Sequence, residues 1–420
     1  MRVLVLGAGV AGVATAYHLH VQGHDVTVVD RQAGPALETS FSNAGHVCPS
    51  YATPWAAPGM KGKAAKWITR AWLLGADTPL RFTPRMDPHQ WKWLVRWLGE
   101  CEAARYAINK ARMGRIARYS HTQLKLLREK LGLDYEQTAQ GNLQVFRDQA
   151  GIDNAQLAAK VLADSGVPHQ LMTVEECIAR EPGLARDQIV GGLMMPADET
   201  GNCHLFTRRL AEWLQAQGVS FRYATTIEGL ITDGQAITSV ATSAGPLAAD
   251  ACVLSCATAS VPLARPLGLA LPILGVKGYA ITAPITDSAR APRGGIMDEA
   301  LKVAIAPMGN QVRAAGTAEI GARDTSVTPK QCATTLRSVA TLFQDGVDLS
   351  RASIWAGMRP MTPDGAPLVG ATPYRNLFLA TGGGSNGWTT ACGVGRLAAD
   401  MVTGNTPEIE YADLGMARFA

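Results

Sequence analysis

Apolar residues run unbroken from Val3 to Leu6, which predicts a short buried parallel strand over Arg2–Leu6. Glycines then punctuate the chain from Gly7 to Gly12. From Val13 to Gln22 apolar positions fall at helical spacing until Gly23 stops them. A second apolar stretch, Asp25–Asp30, closes on an acid, so the opening reads as one βαβ unit. Residues 31–60 lose all period, are rich in Gly, Pro, Ser and Asn, and predict extended loop. From about 61 to 135 the period is helical, enough for three helices, and 140–195 mixes short strands with one helix. His204–Gln217 predicts a helix closed by Gly218. Strands are predicted over Val219–Tyr223, Ile227–Ile231, Ile237–Thr242 and Ala251–Ser255, with Asp233-Gly234 as a hairpin turn. Residues 272–320 alternate apolar and polar, the mark of an antiparallel sheet. Residues 352–420 return to Gly-rich turns, a strand at Leu377–Thr381 and a final helix near Gly393–Val402. The chain has no internal repeat and no low-complexity tract.

Composition narrows the class. The 420 residues are 47% hydrophobic and 18% charged, with 43 glycines, which suits a compact globular enzyme of two or three domains. A formal net charge of +4 is too small to point to nucleic acid. The eight cysteines are dispersed, with no CxxC pair and no zinc spacing, so no metal is expected and the thiols read as reduced, in a cytoplasmic setting. The opening MRVLVLGAGV lacks a cleavable-signal layout, and no apolar stretch is long enough to span a bilayer. The expectation is a soluble or peripheral protein.

Gly7-Ala8-Gly9-Val10-Ala11-Gly12 fits G-x-G-x-x-G in the context that gives the pattern meaning. A strand precedes it, a helix follows, and Asp30 closes the next strand 18 residues after Gly12. Gly7 permits the tight turn, Gly9 lets backbone approach a pyrophosphate, and Gly12 lets helix and strand pack closely. The helix start at Val10 and Ala11 offers free N–H groups to phosphates. Asp30, followed by Arg31, would accept from a ribose diol and repel a 2′-phosphate, favouring FAD or NAD(H) over NADP(H).

After Asp30 the chain runs through Glu38-Thr39-Ser40-Phe41-Ser42-Asn43-Ala44-Gly45-His46. Here it resembles the D-amino-acid oxidase/glycine oxidase superfamily of flavoproteins, and within it the bacterial D-amino acid dehydrogenase small-subunit family. Agreement extends through Gly34–Ser40, Tyr51-Ala52, Pro54–Gly59, Asp198-Glu199-Thr200-Gly201, Lys277-Gly278-Tyr279, Gly357–Gly365 and Gly387-Trp388-Thr389, essentially the whole chain. The resemblance implies an α/β fold with a Rossmann-like FAD-binding domain assembled from residues 1–50, 196–262 and 352–420. An α+β substrate domain with a mainly antiparallel sheet would take 51–195 and 263–351. It implies FAD-dependent oxidative deamination of D-amino acids to 2-oxo acids and ammonia.

By the same resemblance Arg359, in Gly357-Met358-Arg359-Pro360, is the receptor of the substrate carboxylate; the other reading is a structural arginine paired with an acid such as Asp364. Tyr279 and Tyr51 would bond the substrate or bound its pocket, the other reading being core or rim tyrosines; Lys277 would sit near the flavin, the other reading being a solvated strand-end lysine. Ser42-Asn43-Ala44-Gly45 should pass the flavin face. Gly384, Asn386, Gly387, Trp388 and Thr389, at the start of the last helix, should reach the pyrimidine end. No side-chain base is required where the amine binds neutral, and neither His46 nor His204 is a candidate. The sequence departs from the family at Gly383, where those dehydrogenases carry His, at Ser385-Asn386, which replaces Thr-Leu, and at Cys256–Ala259, which lacks a Gly and an aromatic residue. These departures leave D-proline or hydroxy-D-proline open as substrates; the fold and Arg359 fit sarcosine, glycine or proline equally, and a rival reading is an FAD-binding subunit that needs a partner chain.

Six of the nine tryptophans fall between Trp55 and Trp97, interleaved with Lys61, Lys63, Lys66, Arg70, Arg81, Arg85, Lys92 and Arg96. An aromatic, basic segment suits peripheral contact with the inner face of the membrane and a quinone or other electron-transfer acceptor. The other reading is a helical edge with core tryptophans and solvated cations.

Overall fold

The computed structural model describes residues 1–75 and 78–419; Ala76 and Asp77, inside the aromatic, basic segment, lie outside the described residues, as does Ala420. Among the described residues most strands gather into two large sheets, and the remaining four form two short pairs.

The first sheet has six strands, in the order Leu368–Ala371, Leu377–Thr381, Ala251–Leu254, Arg2–Leu6, Asp25–Val29 and Ser220–Arg222. All neighbours are parallel except the first pair. Central strands of a parallel sheet are covered on both faces, which is why Val3 to Leu6 can be continuously apolar. Helices Val10–Val21, Cys203–Ala216 and Gly387–Thr403 cover one face. The hairpin Ile227–Thr232/Ile237–Thr242 and residues 260–273 cover the other.

The second sheet has nine strands and is mostly antiparallel. Its path runs Ser353–Met361, Leu274–Pro284, Gln311–Ile320, Val303–Met308, Gly295–Asp298, Asn142–Phe146, Gly191–Met195 and Gln170–Met172, with Leu80–Phe82 joined to Gln311–Ile320. Helix Ala333–Leu342 packs on it.

Several boundaries differ from the sequence reading. Ser353–Met361 falls in the span 352–420 expected for the dinucleotide domain, yet it pairs with Leu274–Pro284 in the second sheet. Gly357 and Pro360 disguised it as a turn; a Cβ on Gly357 would lie 2.1 Å from the Trp355 ring, so the glycine is a packing requirement within a strand. Helix Ala103–Leu131, from the expected substrate segment, contributes Met113, Ile116, Leu124 and Leu127 to the core of the first sheet. The last helix begins at Gly387, one and a half turns before Gly393. Its glycines are kept for close contact: a Cβ on Gly395 would lie 2.7 Å from the backbone of Ala14. The stretch 140–195 holds two helices, the second of them Val174–Arg180 with a Thr173/Glu176 capping box. In the expected loop 31–60, His46–Val47 pairs with Glu199–Thr200.

Candidate active site

One cavity of about 960 Å³ lies between the two sheets, at the upper end of the roughly 300–1,000 Å³ usual for small-molecule sites. It reaches Gly9, Val10 and Ala11, then Ser42–Gly45, and Gly382–Thr390 at the head of the last helix. Its far end holds Tyr51, Trp55, Tyr279, Thr317, Trp355 and Arg359.

The glycine turn is built as the pattern requires. Gly7 has φ +111°, and a Cβ on Gly12 would lie 1.9 Å from Gly7 O, so no side chain fits where strand passes to helix. Val10 N–H donates to Ser40 Oγ at 3.2 Å. The Ala11 and Gly12 amides follow in the first helical turn, where no intrahelical acceptor exists. Asp30 accepts from Ala8 N–H at 2.6 Å and Gln32 N–H at 2.8 Å, bracing the loop from behind, and burial raises its carboxyl. Gly7, Gly12, Asp30 and Arg31 are not among the cavity-lining residues. Arg31 is paired with Glu38 at 2.6 Å on an exposed surface, so its guanidinium is committed to that carboxylate.

Asn43 Oδ1 accepts from Gly45 N–H at 2.9 Å, holding the turn that crosses the cavity. At the opposite wall the last helix starts at Gly387 with no side-chain cap. The 3₁₀ turn Gly384–Asn386 leads straight into it, so the helix head lies against the cavity with no side chain over its first turn. Trp388 and Thr389 anchor that helix: the indole N–H donates to Gly201 O at 3.2 Å, and Thr389 Oγ1 accepts from Cys48 N–H at 3.2 Å. Glu199 of Asp198-Glu199-Thr200-Gly201 accepts from His121 at 2.6 Å and Arg128 at 2.7 Å, a buried clamp rather than a cavity group.

Arg359 is the cation of the cavity's far end. Strand pairing sets Gly278 opposite Gly357 and Val276 opposite Arg359. A Cβ on Gly278 would lie 2.3 Å from the guanidinium carbon, so the arginine lies across a bare glycine. Its Nη1 donates to Thr317 O at 3.3 Å, and Trp55 presents its ring 5.8 Å away. Thr317 is the bulged residue of its strand, at φ 47°, and that bulge turns the carbonyl to the arginine. Among the described residues no carboxylate pairs with Arg359. Asp364, the acid that a structural reading would assign to it, is paired with Arg112 at 3.0 Å and Arg418 at 2.7 Å. Burial pushes the Arg359 guanidinium down to about 10, still a cation at neutral pH.

The two tyrosines reach the cavity differently from expectation. Tyr279 lines it, but its hydroxyl donates to Glu319 and accepts from Gln331 at 3.1 Å, leaving ring surface as its contribution. Tyr51 donates to Glu299 Oε1 at 2.9 Å. Lys277 is placed away from the cavity, contrary to expectation. It is buried with its ammonium on Ser326 O and 3.9 Å from Asp324, because a strand alternates and Gly278 takes the face toward Arg359. His46 and His204 bond the backbone carbonyls of Ile305 and Ala36. Sequence reasoning missed Thr317, Lys302 and Glu299. All three fall in the alternating span 272–320, but alternation marks a strand and not which of its polar residues or turns meets a cavity.

Comparison with known proteins agrees with this architecture. A family model described as "FAD dependent oxidoreductase" matches residues 2–401. A D-amino acid dehydrogenase of Bradyrhizobium diazoefficiens is 49% identical, covering 100% of this chain and 99% of the relative. One from Granulibacter bethesdensis is 48% identical with full coverage of both, 100% each. Glycine oxidase from Geobacillus kaustophilus superposes with a TM-score of 0.78 at 21% identity, over 99% of both chains. L-proline dehydrogenase from P. horikoshii gives 0.73 at 16% identity, over 100% and 98%.

Proposed function

The chain belongs to the FAD-dependent oxidoreductase family that spans residues 2–401, and we propose from that premise that this cavity oxidises D-amino acids to 2-oxo acids and ammonia. The observation that carries the substrate class is Arg359: a half-buried cation lining a flavoprotein cavity, with no carboxylate paired to it among the described residues. Such a group is poised for bidentate capture of an anion.

The residues fit FAD. The start of the opening helix and its glycine turn suit a pyrophosphate, and the turn at Ser42–Gly45 leaves backbone open to a planar ring. The uncapped head of the last helix suits negative charge developing on the pyrimidine. Bound FAD would supply the two-electron acceptor. The chain's own residues bind and orient: Arg359 fixes the substrate carboxylate, the Trp55 and Tyr279 rings bound the pocket, and the enclosing sheets exclude bulk water.

The electron-transfer acceptor we propose is a lipophilic quinone reached at a membrane surface. The cavity continues between helices Met60–Leu74 and Pro88–Glu100, past Ala64, Trp67, Ile68, Leu94 and Trp97. The outer faces expose Trp72, Leu73, Leu74, Trp91 and Val95 beside Lys63, Lys66, Arg70 and Lys92. Trp93 is buried and Trp55, Trp67 and Trp97 are half-buried, so the tryptophans divide between core and surface. No helix of the described residues is long and apolar enough to cross a membrane.

The test is a panel of D- and L-amino acids, D-proline, hydroxy-D-proline, sarcosine and glycine, with dye reduction by the purified yellow protein. Turnover confined to D-enantiomers is expected; turnover of secondary amines alone would overturn the substrate assignment. Co-sedimentation with anionic vesicles should be lost in Trp72→Glu/Leu73→Glu, and wild type that stays in the supernatant at low salt rules out the membrane contact.

A further inference from the structure

The turn Glu299–Lys302 lies outside every motif of the sequence, yet it sets a carboxylate directly behind two cavity-lining residues. It joins strands Gly295–Asp298 and Val303–Met308. Its start is pinned: buried Asp298 pairs with Arg147 at 2.8 Å and accepts from Ser338 at 2.7 Å, and Glu299 N–H donates to Val145 O at 3.2 Å. Lys302 closes the turn at φ 55°, a left-handed conformation uncommon for lysine. The outcome is a chain of three polar side chains. Tyr51 Oη donates to Glu299 Oε1 at 2.9 Å, and Lys302 Nζ donates to Glu299 Oε2. Tyr51 and Lys302 both line the cavity that holds Arg359. The Glu299 side chain is 15% exposed and that of Lys302 39%, so water reaches the lysine end more readily.

An amino acid enters as an ammonium ion, and its nitrogen lone pair must be free before a hydride can leave Cα. We infer that Glu299, reached through Tyr51, accepts the proton that the substrate's ammonium sheds. The inference rests on the amine oxidation proposed above. One N–H bond breaks and leaves its electron pair on nitrogen. That proton bonds Tyr51 Oη while the phenol's own proton passes to Glu299 Oε1, and the carboxylate becomes a carboxylic acid. The nitrogen pair then forms the C=N bond as the Cα–H pair departs to the two-electron acceptor. Glu299 afterwards returns its proton to water. Burial, reinforced by the Glu299 charge, pushes the Tyr51 phenol well above its usual range, so Tyr51 relays a proton without storing charge. Tyr106 and Cys48 also face Tyr51; burial pushes both up, so they stay neutral, and Asp198 lies behind Cys48.

The experiment is anaerobic stopped-flow bleaching of the holoenzyme flavin, from about pH 6 to 10, at saturating concentration of whichever amine the panel shows to be oxidised. Wild type, Glu299→Gln and Tyr51→Phe are compared. General-base assistance is worth roughly 100-fold or more, so Glu299→Gln should bleach about 100-fold slower at pH 7. Its rate should then rise about tenfold per pH unit, as the free amine becomes available, while wild type stays much flatter. Tyr51→Phe should share that slope. Benzoate binding, read from the flavin spectrum, should fall far less than the bleaching rate in both, because neither change removes the Arg359 guanidinium. A Glu299→Gln enzyme with the wild-type rate and slope, or one slowed equally at every pH, overturns the relay. If that variant fails to hold FAD, Tyr51→Phe decides by the same slope. A wild type that bleaches with no amine overturns the proposed function, and the relay with it; unchanged variants beside an active wild type overturn the relay alone.

Discussion

Replacing Arg359 by Met separates a ligand-binding arginine from a structural one, because the two make opposite predictions for stability. Met nearly matches the volume of the side chain and removes the charge. The guanidinium now has one carbonyl, at 3.3 Å, and one aromatic ring, at 5.8 Å, but no carboxylate among the described residues. Two charge-assisted hydrogen bonds to an incoming carboxylate are worth about 1.5–3 kcal/mol each. Their loss therefore weakens benzoate or substrate binding by about 3–6 kcal/mol, or roughly 10²–10⁴-fold. In the ligand-free holoenzyme the arithmetic reverses. Arg359 is half-buried, so it carries only part of the several-kcal/mol desolvation penalty of a fully buried lone cation, and a cation–π contact returns about 0.5–2. The Met variant should thus melt at or above the wild-type temperature, by up to about 2 kcal/mol of added stability. A structural arginine would show the reverse, since breaking a buried pair costs about 3–5 kcal/mol. The assay is a benzoate titration read from the flavin spectrum, beside a thermal melt without ligand. A variant that binds benzoate like wild type, or that melts well below it, refutes the reasoning.

Gly278→Ala places a methyl 2.3 Å from the guanidinium carbon and must displace it; benzoate affinity should fall about 10–100-fold, at an overpacking cost of about 1–3 kcal/mol, while the protein stays yellow. Gly12→Ala sets a methyl 1.9 Å from Gly7 O, where only backbone can yield, so that variant should purify without flavin absorbance. Burial raises the Asp198 carboxyl from 3.8 to about 6, so the folded chain holds a proton that the unfolded chain has released between those values. Wild-type stability therefore falls as pH rises through that window. In Asp198→Asn the gap in stability over wild type should widen from pH 4 to about 6.5, by up to about 3 kcal/mol, and then stay level. A gap independent of pH, read from paired melts, would show that Asp198 does not titrate there.

What the sequence made legible follows from how far each signal reaches along the chain. The turn from Gly7 to Asp30 is written within one βαβ unit, and its glycines, apolar runs and closing acid describe the same geometry that the structure shows. The helices Met60–Leu74, Pro88–Glu100 and Ala103–Leu131 announce themselves by local period. The sheet to which a segment belongs does not. Ser353–Met361 crosses to the second sheet because its partners are at Leu274–Pro284, and no local pattern records a partner.

The same limit explains the site residues. Arg359 is legible as a motif, but its proposed role as a receptor rests on the absence of a side chain at Gly278 and the commitment of Asp364 to two other arginines. Lys277 was misplaced through parity that the sequence did contain. In a strand, neighbours face opposite ways, so a Gly278 that opens space for Arg359 turns Lys277 away from it. Tyr279 escapes that rule only in part. The bulge opposite it, at Thr317, lets its ring line the cavity while Glu319 and Gln331 keep its hydroxyl. Glu299 and Lys302 lie within the alternating span 272–320 but sit in the turn between two strands, and alternation does not say what a turn will meet. Their meaning arises only when Tyr51, far away in the chain, arrives with a hydroxyl at 2.9 Å. Motif and period therefore mark where a cofactor and an anion belong. The path by which a proton leaves is set by contacts between turns, and for this chain it must be sought in the fold.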